Sequence, residues 1–264
     1  MFYCISLFTV IAFSLVQTGL CDFWPDATGN ITVNATVFVD AGQTFDCNLT
    51  RFIPNPKLLG DGSQKERQKA VFVLRDEATL KNCIIGAAPG TEGSADGVHC
   101  MGAGCTVDNV WFENVGEDAI TLYGINSSDI VYNIQNCGAR DSSDKIIQFD
   151  GKGTANIKNF WADTFARFMR SCGKCPNQYE RHIVLNNITA YNGEAGQFIV
   201  GVNTNYNDSA TITGLTLGGA SAHKVWPCKR FKGSIKSEPV SDKNPGPDDK
   251  YCIYDPNDVT YVLR

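Results

Sequence analysis

Six short segments of this chain share one pattern, an aliphatic residue, any residue, asparagine, any residue and then another apolar residue, and they recur at a nearly constant interval. Leu80-Lys81-Asn82-Cys83-Ile84, Val107-Asp108-Asn109-Val110-Trp111, Val131-Tyr132-Asn133-Ile134, Ile157-Lys158-Asn159-Phe160-Trp161, Leu185-Asn186-Asn187-Ile188 and Ile212-Thr213-Gly214-Leu215-Thr216 carry it, with third positions 27, 24, 26, 28 and 27 residues apart. Alternation within each segment reads as strand, and beyond the first twenty residues no stretch sustains a helical 3.6-residue period. A second strand series falls between them, at Gly97-Val98-His99-Cys100, Ala119-Ile120-Thr121-Leu122, Ile146-Ile147-Gln148-Phe149, Phe168-Met169-Arg170 and Phe198-Ile199-Val200-Gly201-Val202. A coil of this length cannot bury its own apolar face, so a fixed period of short strands implies an all-β solenoid whose stacked coils share one core. Asparagine at equivalent positions suits side-chain hydrogen bonding along the stack, which satisfies turn backbone. A β-sandwich also uses many short strands, but it requires no motif at a constant offset.

Residues 1–20 carry no charge and a long apolar stretch, too short to span a membrane comfortably and followed by no basic stop signal. The expectation is a secretory signal over residues 1–21 and one soluble, secreted, monomeric domain over 22–264. Of eleven cysteines, Cys4 leaves with the signal and Cys21 lies at the cleavage point; the others read as disulfides in an oxidising compartment. Cys172-Gly173-Lys174-Cys175 with Cys100 and Cys105 offers a zinc alternative, and Cys228 with Cys252 a staple for the segment from Pro227 to Cys252, which is aperiodic and reads as a surface loop. Sequons begin at Asn30, Asn34, Asn48, Asn126, Asn187 and Asn207. The formal charge of −5 argues against a nucleic-acid binder, which usually shows a basic footprint. His223, Lys224, Lys229, Arg230, Lys232 and Lys236 form a basic stretch that reads first as a solvated loop.

Charged residues sit at the start of successive members of the second series: Glu117-Asp118, Asp144-Lys145, and Arg167 with Arg170. Stacking brings them onto one face. Acids that hold a hard cation beside a lysine and arginines suit a substrate that is itself a carboxylate, and Ca2+, which takes six to eight oxygen ligands, suits such acids. In a uronate polymer the C5 proton is acidic next to the C6 carboxylate, so elimination needs positive charge around the carboxylate and a base at C5. Lysine begins near a pKa of about 10.4, and a neighbouring cation favours its neutral form. Lys145 is the candidate base and Arg170 the candidate carboxylate ligand. Arg167, three residues earlier, would face away from Arg170 on a regular strand unless a bend or bulge intervenes.

Pro54 to Glu66, Ala95-Asp96-Gly97-Val98-His99-Cys100, Val115-Gly116-Glu117-Asp118-Ala119, Asp144-Lys145-Ile146-Ile147-Gln148 and Arg170-Ser171-Cys172-Gly173, in this order and spacing, resemble the family 3 pectate lyases. The resemblance implies a right-handed single-stranded parallel β-helix, calcium dependence and β-elimination of de-esterified pectin, the polygalacturonate of plant cell walls. By matching motifs, Asp96, Glu117 and Asp118 inherit calcium or acid-site roles, and Val115 donates a backbone carbonyl. Glu66 matches a family acid assigned here to substrate binding, Lys145 the family base and Arg170 its substrate-binding arginine. Arg167, a candidate for both catalysis and substrate binding, stands where the family usually has lysine, and Asn114 where an acid can appear. Arginine keeps the charge but is planar and effectively never neutral.

Two other functions fit parts of the pattern. A β-helical polygalacturonase would use Glu117 and Asp118 as a carboxylate pair, but inverting hydrolysis sets acid and base about 6.5–9.5 Å apart and has no need of a central lysine. A pectin-binding solenoid without catalysis would need neither Lys145 nor the cation. His99 has the chemistry of an acid or base, but within an apolar strand it reads first as a packed core residue.

Overall fold

The computed structural model describes residues 24–63, 68–243 and 245–263. The expected signal segment and Glu66 lie outside the described residues. Among those described, no helix is long and apolar enough to cross a membrane.

Each coil lays down three short strand runs, and runs from successive coils pair in parallel, giving one 19-stranded sheet wound into a right-handed parallel β-helix. Sheet A carries the first repeat series, from Thr44–Asp46 through 78–81, 105–108, Val131–Gln135, 155–158, 183–186 and 210–213 to Cys252–Ile253. Sheet B is made of runs such as 84–85, 111–112, 138–139, 161–162, 189–190 and 216–217. Sheet C carries the second series, from Val37–Val39 and Phe72–Leu74 through Val98–Cys100, Asp118–Leu122, 147–149 and 169–171 to Phe198–Asn203 and Trp226–Lys232.

The period exists because like side chains stack. Leu80, Val107, Ile134, Ile157, Leu185 and Ile212 follow one another in register on sheet A, each at most 1% exposed. Burying a side chain of this size is worth about 1.5–3 kcal/mol. This shared interior replaces the core that no single coil could form.

The corner between sheets A and B explains the asparagines. Asn82, Asn109, Asn136, Asn159 and Asn187 all have φ between 53° and 56°, the left-handed region that asparagine tolerates best among residues with a side chain, and Gly214 takes the last of these corners at φ 67°. Their amides join along the stack: Asn109 Nδ2 donates to Asn82 Oδ1 at 2.9 Å, Asn159 to Asn136 at 3.0 Å and Asn187 to Asn159 at 2.9 Å. One member of the sequence pattern is corrected. Asn133 pairs with Thr106 and Asn156 inside the strand, and the corner belongs to Asn136, three residues later.

Four disulfides join Cys47–Cys83, Cys100–Cys105, Cys172–Cys175 and Cys228–Cys252, so the thiols of the zinc alternative are consumed and the expected staple is present. Cys137 is a buried free thiol. The segment after Pro227 is not all loop, because Trp226–Lys232 is a strand of sheet C, with Val240–Ser241 folded back antiparallel on its end.

Candidate active site

Sheet C turns its outer surface into a column of polar residues. Asp118, Lys145 and Arg167 occupy consecutive rungs in direct register, and Phe198 and Trp226 continue the descent in Phe198–Asn203 and Trp226–Lys232. A second column beside it runs His99, Thr121, Gln148, Arg170, Gly201 and Lys229.

Arg167 and Arg170 both emerge because the strand does not alternate between them. Pairing passes from Lys145–Arg167 to Ile147–Met169 with no pair at Ile146–Phe168, and Ile146, Ile147, Phe168 and Met169 are all buried. Two successive inward residues turn a three-residue spacing into a shared outer face, and a register shift just upstream, between Ser142 and Lys145, accompanies it.

The acids gather at the N-terminal side. Asp96 and Asp118 lie in adjacent coils, joined where the Gly97 N–H donates to the Asp118 carbonyl at 3.0 Å, and both are buried. Glu117 is half-buried beside them. Burial first, then the nearby charges of Glu117, Asp96 and Asp144, push the Asp118 carboxyl well above the usual range, although Lys145 pulls the other way. Asp96 Oδ1, Asp118 Oδ1 and Ser94 Oγ are buried without hydrogen-bond partners. Oxygens left bare among clustered acids are the donor set that a hard cation would complete. The wall beside them closes tightly: a Cβ on Gly93 would stand 2.9 Å from the Val115 carbonyl oxygen, so no side chain fits between the two coils there.

Lys145 is the hinge between acids and bases. Its ammonium lies 3.6 Å from Asp118 Oδ1 and pairs closely with Asp144, whose other oxygen pairs with Arg167. Arg167 Nε also donates to Gln197 Oε1 at 3.1 Å. Burial alone would lower the Lys145 pKa, but the carboxylates of Asp118, Asp144 and Glu117 outweigh it and hold the ammonium above its ordinary value.

Among the described residues, Arg170 has no such partner. Its guanidinium sits 3.7 Å over the centroid of Phe231 and 6.0 Å from that of Phe198, and one terminal nitrogen is buried without a hydrogen bond. Burial, with the like charge of Arg167 beside it, pushes its pKa down to about 10. Space for it depends on two glycines: a Cβ on Gly201 would lie 3.0 Å from Arg170 Cδ and one on Gly173 2.8 Å from its Nη2.

The structure thus brings together Asp96, Val115, Glu117, Asp118, Lys145, Arg167 and Arg170. His99 is corrected from core to surface: it is half-buried on the outer face, its Nε2 3.2 Å from Asp96 Oδ2 and its ring against Tyr123. The sequence placed Asp144 in the charged column without a role of its own, and gave none to Gln197, Phe198 or Phe231. Arg170 pairs with Gly201, 31 residues on and longer than the spacings of the repeats above it, so that period did not point to Phe198 or Phe231.

Fold and site together define a β-helical enzyme with acids and cations ranked along one sheet. The sequence pattern of the pectate lyase family matches residues 21–238. Pectate lyase H of Emericella nidulans is 38% identical over 234 residues, 87% of this chain and 82% of that protein. A probable pectate lyase D of Neosartorya fischeri is 35% identical, covering 92% of this chain and 95% of its own length. Among solved structures, the catalytic domain of pectate lyase PelI from Erwinia chrysanthemi superposes with a TM-score of 0.70 at 28% identity, over 88% of this chain and 99% of that one. The same enzyme solved with tetragalacturonic acid gives 0.66 at 28% identity, over 87% and 70%. The chain belongs to the pectate lyase family.

Proposed function

We propose that this enzyme cleaves polygalacturonate, the de-esterified pectin of plant cell walls, by calcium-dependent β-elimination outside the cell. The observation that carries the reading is the Lys145–Arg170 pair: a lysine among acids and a guanidinium without a counter-ion, on adjacent outer columns of one sheet. Asp96, Glu117 and Asp118, with the Val115 carbonyl, are the groups that would hold calcium, and the bare oxygens of Asp96 and Asp118 fit that demand. When bound, the ion supplies positive charge that acidifies the C5 proton and relieves the charge repulsion among the acids.

The chain's own residues do the rest. Arg170 takes the C6 carboxylate of the reacting uronate, its free nitrogen suited to a charge-assisted hydrogen bond. Lys145, in the neutral form that a cation held by the neighbouring acids would favour, accepts the C5 proton at Nζ. The electron pair left at C5 forms the C4–C5 double bond, and the bond from C4 to the linking oxygen breaks, with that oxygen gaining a proton from water. Arg167 cannot act as a base, being effectively always charged. Through Asp144 and Gln197 it instead fixes Asp144, and so Lys145. Glu66, outside the described residues, is retained as a substrate-binding candidate. Secretion agrees with four disulfides in an oxidising compartment.

The test is ultraviolet absorbance of polygalacturonate treated with the enzyme, with calcium or with chelator. A calcium-dependent rise that falls at least 100-fold in Lys145→Ala is expected. New reducing ends without absorbance would assign hydrolysis instead, and calcium-dependent binding with neither signal would assign a pectin-binding protein.

A further inference from the structure

Most cations packed against the coil are matched to carboxylates: Arg51 to Glu113, Arg167 to Asp144, Arg181 to Asp208 and Arg230 to Asp242 and Asp248. Among the described residues, two half-buried cations on sheet C are not. Arg170 is one; the other is Lys229, whose ammonium has no carboxylate within ion-pair distance among the described residues and lies 5.8 Å from the Phe231 centroid. In a chain of formal charge −5, leaving two partly desolvated cations without counter-ions is costly unless a ligand supplies the anion.

Their placement specifies that ligand. Arg170, Gly201 and Lys229 are successive rungs of one column. Parallel strands stand about 4.8 Å apart, so the two cations project from backbones roughly 9.6 Å apart. The rung between them carries no side chain, and Phe231 is shared by both cations. Beside this trough, in register below Phe198, stands Trp226, 43% exposed, a large flat apolar ring held at the surface next to the charged column. Cation, bare rung, cation and exposed indole together suit a linear polymer that repeats a carboxylate along its length and presents apolar sugar faces between.

We propose that Lys229 and Trp226 form a second uronate subsite, which binds the carboxylate and ring of a sugar further along the same chain whose reacting residue Arg170 holds. This rests on the polyuronate reading above. It gives part of the basic stretch a function: Lys224 and Lys232 are exposed, whereas Lys229 lies within the sheet.

The test is binding and turnover of trigalacturonate and hexagalacturonate by the whole enzyme and by Lys229→Met, which keeps the apolar stem and removes the charge. Lys229→Arg serves as the charge-retaining rescue and Lys224→Met as a control for loss of surface charge. A rise in KM and in calorimetric Kd for the hexamer of roughly 5–10-fold in Lys229→Met is expected, about the effect of one ordinary hydrogen bond. The effect should shrink for the trimer and be reversed in Lys229→Arg, with Trp226→Ala showing the same dependence on chain length. An equal loss for trimer and hexamer would overturn the proposal, placing Lys229 on the reacting sugar, and so would no change in Lys229→Met, leaving a solvated lysine. Failure of the function itself is distinguishable, since the wild type would then yield no ultraviolet-absorbing product while calorimetry still reads the subsite.

Discussion

The Lys145 ammonium lies 3.6 Å from Oδ1 of Asp118, its register partner in the preceding coil. One pair therefore links the acid cluster to the candidate base, and whatever changes charge at the acids changes the proton affinity of the lysine.

That coupling has a sign. Burial works to lower the Lys145 pKa, and the surrounding carboxylates more than offset it. Calcium at those acids would remove part of their field, so the pH at which activity rises should move to lower values as calcium increases. Rate profiles at limiting and saturating calcium measure this. A midpoint that stays fixed would show that Lys145 is not the titrating base.

Gly201→Ala tests the seat of Arg170. The added methyl would stand 2.7 Å from a Phe198 ring carbon and 3.0 Å from Arg170 Cδ, so the guanidinium must shift. Misplacing a positioning group by such an amount costs catalysis more than stability. We expect kcat/KM to fall about 10-fold or more, with thermal melting lowered by only a few degrees; a full melt shift with unchanged turnover would refute the assignment.

Arg181→Met should damage the fold itself. Arg181 is fully buried, donating to the Gly151 and Asp150 carbonyls at 2.8 Å each, and its backbone N–H donates to Asp208 Oδ1 at 3.1 Å. Asp208 also accepts from the Asn203 backbone and side chain at 3.0 Å. Removing one partner of a buried pair strands the other, typically at about 3–5 kcal/mol. Denaturant unfolding measures the loss, which double substitution with Asp208→Asn should partly restore.

Acid should loosen the C-terminal crossing before the coils. Burial alone would raise the Asp248 pKa, but N–H groups of Cys252, Tyr251 and Lys250 and the Arg230 side chain outweigh it and hold it low. A carboxyl with a depressed folded pKa contributes stability above its unfolded value, near 3.9, and loses it as pH falls through the folded one. Proteolysis within residues 240–252 should therefore accelerate below about pH 4 while the stacked sheets stay protected, and Asp248→Asn should show that susceptibility at pH 6.

The solenoid was legible in the sequence because stacking demands the same chemistry at the same place in each coil, and the aliphatic-x-Asn pattern displays it. Its phase was less so. Asn133 and Asn136 are equally good asparagines by composition, and only the left-handed corner, which sequence does not display, tells them apart. Sheet B escaped notice because its runs begin directly after the corner asparagine and read in the sequence as the tail of the sheet A strand. In the site, the acids, Lys145 and Arg170 were visible as charges at strand starts. The shared face of Arg167 and Arg170 was not, since it depends on the consecutive burial of Phe168 and Met169. Arg181 gave no sign of being buried, though its partner Asp208 lies 27 residues on, one coil away. Lys229 and Trp226 were hidden by Pro227 and by a density of lysines that reads as loop, where the structure has a strand.

Asp118, Lys145, Arg167 and Phe198 come from four different coils, one residue each. Such a site has no local precursor: slip any coil by one residue and its member turns inward while the others stay. Turnover is thus a parity check on the whole stack, and a single active molecule certifies that four independent windings of the chain were counted correctly.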